Sequence, residues 1–150
     1  AMVVILVDRE NDNIVLVEQF RVGAANSCLD DSPWLIECIA GMCDQGEYPA
    51  DTCVREVLEE TGMKLIEEPQ LLFTYYTSPG GSNELIYLFV GYCDSTEATS
   101  FRGQPDEFED LKVHVIPIDV AIRALHSGKV NNAATIIGLQ WLEIQRQSAG

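Results

Sequence analysis

Cations are scarce in this sequence: nine Lys plus Arg stand against 24 Asp plus Glu among 150 residues, a formal net charge of −15. Nowhere do they cluster, so no stretch can neutralise a row of phosphates, and nucleic acids and anionic membranes are not expected partners. A polyanionic small molecule stays open, because a bound divalent metal can supply the positive charge that the chain lacks. Cysteine pairs are lacking too. Cys28, Cys38, Cys43, Cys53 and Cys93 are odd in number and form no C-x-x-C, so they read as reduced thiols of a cytoplasmic protein. No basic-then-apolar leader and no apolar run of membrane-spanning length is present. The chain runs almost at once into Val3 to Val7, with no lead-in to a first strand.

What is present is an ordinary globular balance, 47% hydrophobic and 22% charged, enough for one domain over residues 1–150. Val3 to Val7 and Ile14 to Phe20 read as a β-hairpin across a polar turn. Further strands are expected at Leu35 to Ile39, Leu71 to Thr77, Leu85 to Tyr92 and Leu111 to Ile118, with Arg21 to Trp34 as a loop. Helical spacing marks Ala50 to Thr61, Val120 to His126 and Ala133 to Gln145, with Gly128 as a C-cap and Asn131 or Asn132 as an N-cap. No internal repeat is visible. The order of elements predicts an α+β sandwich with a mixed sheet. His114 and His126 lack neighbours at ligand spacing and read as surface or strand histidines.

The chemistry concentrates between Gly41 and Met63, GMCDQGEYPADTCVREVLEETGM. On a helix from Ala50, Val54, Val57, Leu58 and Thr61 are expected to pack, while Glu56, Glu59 and Glu60 look outward. A Glu-rich helical face is ordinarily just solvated. Three carboxylates at i, i+3 and i+4 repel, however, and a divalent cation would reverse that cost; oxygen donors suit Mg²⁺ or Mn²⁺. Gly41, Glu47, Arg55, Glu56, Glu59, Glu60 and Gly62 also sit at the fixed offsets G-x5-E-x7-R-E-U-x-E-E-x-G-U, with Val57 and Met63 at the two apolar positions. That pattern resembles the Nudix hydrolases.

The resemblance implies a Nudix α/β/α sandwich and hydrolysis of a nucleoside diphosphate linked to another group. It implies Glu56, Glu60 and the Ala40 carbonyl as metal ligands and Glu59 as a ligand or its neighbour. Arg55 would orient the glutamates, and Gly41 and Gly62 would permit the turns that flank the helix. Outside the motif, Val17-Glu18-Gln19-Phe20-Arg21, Trp34-Leu35-Ile36-Glu37 and Pro79, sixteen residues after Met63, are similar to the ADP-ribose pyrophosphatase branch of the family. There the product pair would be AMP and ribose 5-phosphate. Arg21 would meet a substrate phosphate, an oxyanion suited to its planar fork; its plainer alternative is a salt bridge at the rim. Glu84 and the Ser78-Pro79-Gly80 backbone would face the ribose or phosphate end, although Pro79-Gly80-Gly81 also reads as a plain hairpin turn. Composition alone makes Pro105 to Asp110 a solvated loop; the resemblance makes Glu107 the general base and Glu109 a further metal ligand. It also implies a homodimer; related enzymes carry an N-terminal β segment that helps to hold adenosine, and this sequence is expected to begin after the corresponding point. Two alternatives stay open: another nucleoside diphosphate derivative such as a nucleotide sugar as substrate, or a sensor that binds a nucleotide without turning it over.

Overall fold

The computed structural model describes residues 1–26, 32–99, 101–102 and 110–149. Eight strands form one sheet: β1 (Met2–Asp8), β2 (Asn13–Phe20), β3 (Trp34–Glu37), β4 (Ile39–Gly41), β5 (Gln70–Tyr76), β6 (Leu85–Tyr92), β7 (Phe101–Arg102) and β8 (Leu111–Pro117). Its main path runs β5-β6-β1-β2-β8-β7. The β1–β6 pair is parallel and every other pair antiparallel, so the sheet is mixed as expected. The helices are α1 (Val22–Ala25), α2 (Pro49–Thr61), α3 (Ile118–His126) and α4 (Ala133–Ala149).

The β1–β2 hairpin is paired only at its closed end, Leu6 to Asp8 against Asn13 to Val15. Beyond that the strands part: Met2 to Val4 take β4 as partner, and Val17 to Phe20 take β3. Because β3 and β4 are one expected run broken at Cys38, this split is what lays Ala40 and Gly41 beside the start of β1. The closed end is held by Asp8, which is 1% exposed and accepts hydrogen bonds from the Glu10 and Asn11 amides and from the amide and hydroxyl of Ser95. Burial alone would raise its pKa; the bonds from Ser95 and Asn11 outweigh it and hold the carboxyl well below the usual range.

Alternation along β1 and β2 divides the core between two faces of the sheet. Val3, Ile5, Val7, Ile14 and Leu16 pack under α3 and α4 with Leu139 and Leu142. Met2, Val4, Leu6, Val15 and Val17 pack under α2 with Cys53 and Val57. Gly128 has φ +77° just past α3, and Asn132 caps α4 by accepting from the Thr135 amide at 3.2 Å, as the sequence predicts. The one-turn α1 inside an expected loop, the 3-10 turn Ser95–Glu97 and the short β7 have no periodicity from which to be read.

One expectation is corrected. The side of α2 that packs carries Thr52, Cys53, Val57, Glu60 and Thr61, while Val54 and Leu58 are about half exposed. The helix is thus rolled toward its glutamates, and Glu60, expected to face outward, is only 6% exposed. The four cysteines within the described residues, Cys38, Cys43, Cys53 and Cys93, are free thiols; Cys28 lies outside those residues. His114 pairs with Glu18 at 2.7 Å and His126 with Glu143 at 2.9 Å. No helix among the described residues is long and apolar enough to cross a membrane.

Candidate active site

Helix α2 begins with Pro49 at its first turn, where a missing N–H costs nothing, and ends at Gly62, whose amide donates to the Leu58 carbonyl at 2.9 Å and whose φ of +75° turns the chain out of the helix. The loop before the helix is drawn onto it by Arg55. Nε and Nη2 of Arg55 donate to the two oxygens of Glu47, both at 3.1 Å; Nη1 donates to Glu56 at 2.8 Å and Glu59 at 3.0 Å; Nη2 also donates to the Met42 carbonyl at 3.2 Å. The repulsion among glutamates on this helix is therefore offset in part by a guanidinium from the same helix, whose planar fork serves several carboxylates at once. Glu47 further accepts from the Asp44 amide at 3.1 Å. Arg55 and that amide bring the Glu47 pKa down from 4.5 to about 2, and Glu47 in turn leads in raising that of Arg55.

Gly41 does not serve as a turn. It lies in β4, and its φ is not positive; a Cβ there would collide with the Glu56 carboxylate, which is seated over its Cα. The Glu56 side chain can lie this close to the strand because residue 41 has no side chain.

An open cleft of about 400 Å³ lies beside this contact, of a size that suits a nucleotide. Arg21, Ala40, Arg55, Glu56 and Glu84, residues far apart in sequence, all line it, together with Gly41, Gln19 and Asp44. Glu59 is tied to this group through Arg55. Ser78, Pro79 and Gly80 do not line the cleft; they form an exposed turn closed by the Gly81 and Ser82 amides on the Ser78 carbonyl. Glu84 follows that turn and is held by the Thr77 hydroxyl at 3.0 Å. Glu107 and Glu109 lie outside the described residues. Two contributors escape sequence reasoning: Glu37, which pairs with Arg21, and the Met42 carbonyl. Neither carries a signal in isolation, since each is defined by a partner brought near by the sheet.

Among the described residues, no three His, Cys, Asp or Glu groups converge as a ready-made cation cage, and Glu56 and Glu59 instead close on Arg55. The donors still fit a hard divalent cation: they are carboxylate and carbonyl oxygens, and Glu56 is cradled by Gly41 next to Ala40 at the cleft wall. Such an ion commonly takes one or two carboxylates and completes its shell with water and substrate phosphate.

Comparison with known proteins agrees with this arrangement. A family model described as NUDIX domain matches residues 1–137. The chain is 37% identical over 148 residues to the ADP-ribose pyrophosphatase of Escherichia coli (strain K12), covering 99% of this chain and 69% of the relative. To the ADP-ribose pyrophosphatase of Haemophilus influenzae it is 43% identical over 145 residues, 96% of this chain and 66% of that one. To the GDP-mannose pyrophosphatase of Cronobacter sakazakii it is 36% identical over 144 residues, 95% of this chain and 72% of that one. The chain thus spans about two thirds of the length of the relatives it matches. With Gly41, Arg55 and Glu56 of the motif at one cleft and the family model covering residues 1–137, the chain belongs to the Nudix family.

Proposed function

We propose that this chain hydrolyses the pyrophosphate bond of ADP-ribose, giving AMP and ribose 5-phosphate, with Mg²⁺ or Mn²⁺ as cofactor. The observation that carries the reading is the cleft wall where Glu56, cradled over Gly41, meets Arg55, with Arg21 and Glu84 lining the same cleft. The relatives named ADP-ribose pyrophosphatase support the substrate.

Glu56, Glu60, Glu59, the Ala40 carbonyl and Glu109 would hold the metal. When bound, a divalent ion neutralises phosphoryl charge and makes water a better nucleophile. Arg55 keeps Glu56 and Glu59 oriented when the ion is absent and braces the Glu47 loop against α2. Arg21 meets the diphosphate, and Glu84 meets the ribose or phosphate end. Glu107 takes the proton of the attacking water. A carboxylate is a suitable base for a water whose acidity a metal has raised.

The protein is proposed to work as a cytoplasmic homodimer with no nucleic-acid or membrane partner. A second substrate reading is favoured by one observation: 36% identity to a GDP-mannose pyrophosphatase leaves a nucleotide sugar as the competing diphosphate. Parallel incubations with ADP-ribose and GDP-mannose, with Mg²⁺ and with EDTA, separate the readings by product. Metal-dependent AMP release, with slower GMP release, is the expected result. Faster GMP release assigns the nucleotide sugar, and tight nucleotide binding without either product assigns a sensor.

A further inference from the structure

Glu37 has no part in the mechanism above, yet it is the better-buried member of an ion pair at the cleft. Its side chain is 12% exposed against 44% for Arg21. In the β2–β3 ladder Glu37 lies opposite Val17, and Trp34 opposite Phe20. Arg21, one residue past Phe20, therefore has to reach back along β3 to meet it. It does so side-on: Nε donates to the two Glu37 oxygens at 3.2 and 3.0 Å, and Nη2 donates to Oε2 at 2.7 Å. A two-point contact of this kind fixes the plane of a guanidinium as well as its position. The backbone is pinned as well, since the Arg21 amide donates to the Pro33 carbonyl at 2.9 Å.

We propose that Glu37 is a positioning residue, which holds the Arg21 guanidinium flat in the cleft wall so that it meets the substrate diphosphate in one fixed orientation. The proposal rests on the cleft's being a nucleoside diphosphate site. Its electrostatics are unusual. A carboxylate beside an anion-binding arginine, in a chain of net charge −15, repels the anion. As a charge alone, Glu37 therefore weakens diphosphate binding; as a brace for Arg21, it strengthens binding by removing the freedom of a long side chain before substrate arrives. The two roles have opposite signs, and removing the carboxylate tells them apart.

The test is calorimetric binding of ADP, with Mg²⁺ present, to wild type, Glu37→Ala, Glu37→Gln, Arg21→Ala and the double variant Arg21→Ala/Glu37→Ala, with KM and kcat for ADP-ribose measured in parallel. Glu37→Ala is expected to weaken ADP binding by about five-fold or more, the scale of lost preorganisation, and to raise KM by more than it lowers kcat. Glu37→Gln, which keeps one acceptor oxygen and is the safer variant for folding, falls between it and wild type. In the Arg21→Ala background, Glu37→Ala has no further effect. The proposal is overturned by unchanged or tighter ADP binding in Glu37→Ala, by an equal loss whether or not Arg21 is present, or by a wild type that does not bind ADP. A wild type that binds ADP but releases no AMP from ADP-ribose overturns the hydrolase reading and leaves this one standing.

Discussion

Two glycines mark where the helical layers press hardest on the sheet, and they are needed for different reasons. Gly138 of α4 lies over Ile5 of β1: a Cβ there would stand 2.7 Å from the Ile5 side chain. Gly41 of β4 lies under the Glu56 carboxylate of α2. In the first contact hydrocarbon meets helix backbone within the apolar cluster that runs from Val3 to Leu142. In the second a charged group is brought against backbone at the edge of an open cleft. The same residue type thus serves packing on one face and placement of a reactive group on the other.

Substituting each glycine should separate the two uses. Gly41→Ala must displace Glu56, and a shift of about 1 Å at a reacting group costs on the order of 100-fold in rate; steady-state AMP release should fall by about that factor, while circular dichroism stays that of wild type. Gly138→Ala should do the reverse. Crowding against Ile5 costs about 1–3 kcal/mol and the better helix former returns about 1 kcal/mol, so urea unfolding should show a net loss of up to about 2 kcal/mol with kcat unchanged. Equal effects of the two substitutions on rate would dissolve the distinction.

A smaller effect concerns the loop before α2. The Glu47 pKa is lowered from 4.5 to about 2, so ionised Glu47 favours the folded state above pH 4.5, and that contribution fades as pH falls toward 2. Arg55 stays charged throughout. Wild type should therefore exceed Glu47→Gln in melting temperature at pH 7, with the gap narrowing between pH 4.5 and pH 2; a gap independent of pH would mean that the pair is not what braces the loop. The smallest effect lies in the thiols. Burial pushes Cys38, Cys53 and Cys93 each up to about 12, with Glu37 adding to the effect at Cys38. Alkylation of the folded chain at pH 8, resolved by peptide mass, should label Cys43 before any of these three.

The sheet and its two helical layers were readable because β1, β2 and β6 carry apolar runs, β8 alternates apolar with polar residues, and helical spacing marks α2, α3 and α4. The break at Cys38 was not readable. Residues 35–39 read as one strand-like run interrupted only by Glu37, and only pairing with two different strands divides it. The orientation of α2 was misread for a related reason: Val54 and Leu58 are apolar, but the close contact of Glu56 with Gly41 and the burial of Cys53 and Val57 set the roll of the helix. That Arg55, Glu47, Glu56, Glu59 and Gly41 belong together was legible because they recur at fixed offsets along one helix and the segment before it. The Arg21–Glu37 pair was not, since sixteen residues separate its members and only the β2–β3 ladder brings them together. The expectation of Ser78, Pro79 and Gly80 at the substrate meets a turn that stands outside the cleft lining, whereas Glu84, at the far side of the same turn, lines it.

The central claim is that the wall where Glu56 meets Gly41 and Arg55 is the seat of pyrophosphate hydrolysis. Its most direct test is AMP release from ADP-ribose by wild type and by Glu56→Gln, an isosteric change that leaves the contact over Gly41 filled. Wild type should release AMP and ribose 5-phosphate with Mg²⁺ and neither with EDTA, and Glu56→Gln should be slower by about 100- to 1,000-fold at an unchanged melting temperature. Release by Glu56→Gln within two-fold of wild type would contradict the account and place the chemistry elsewhere in the molecule.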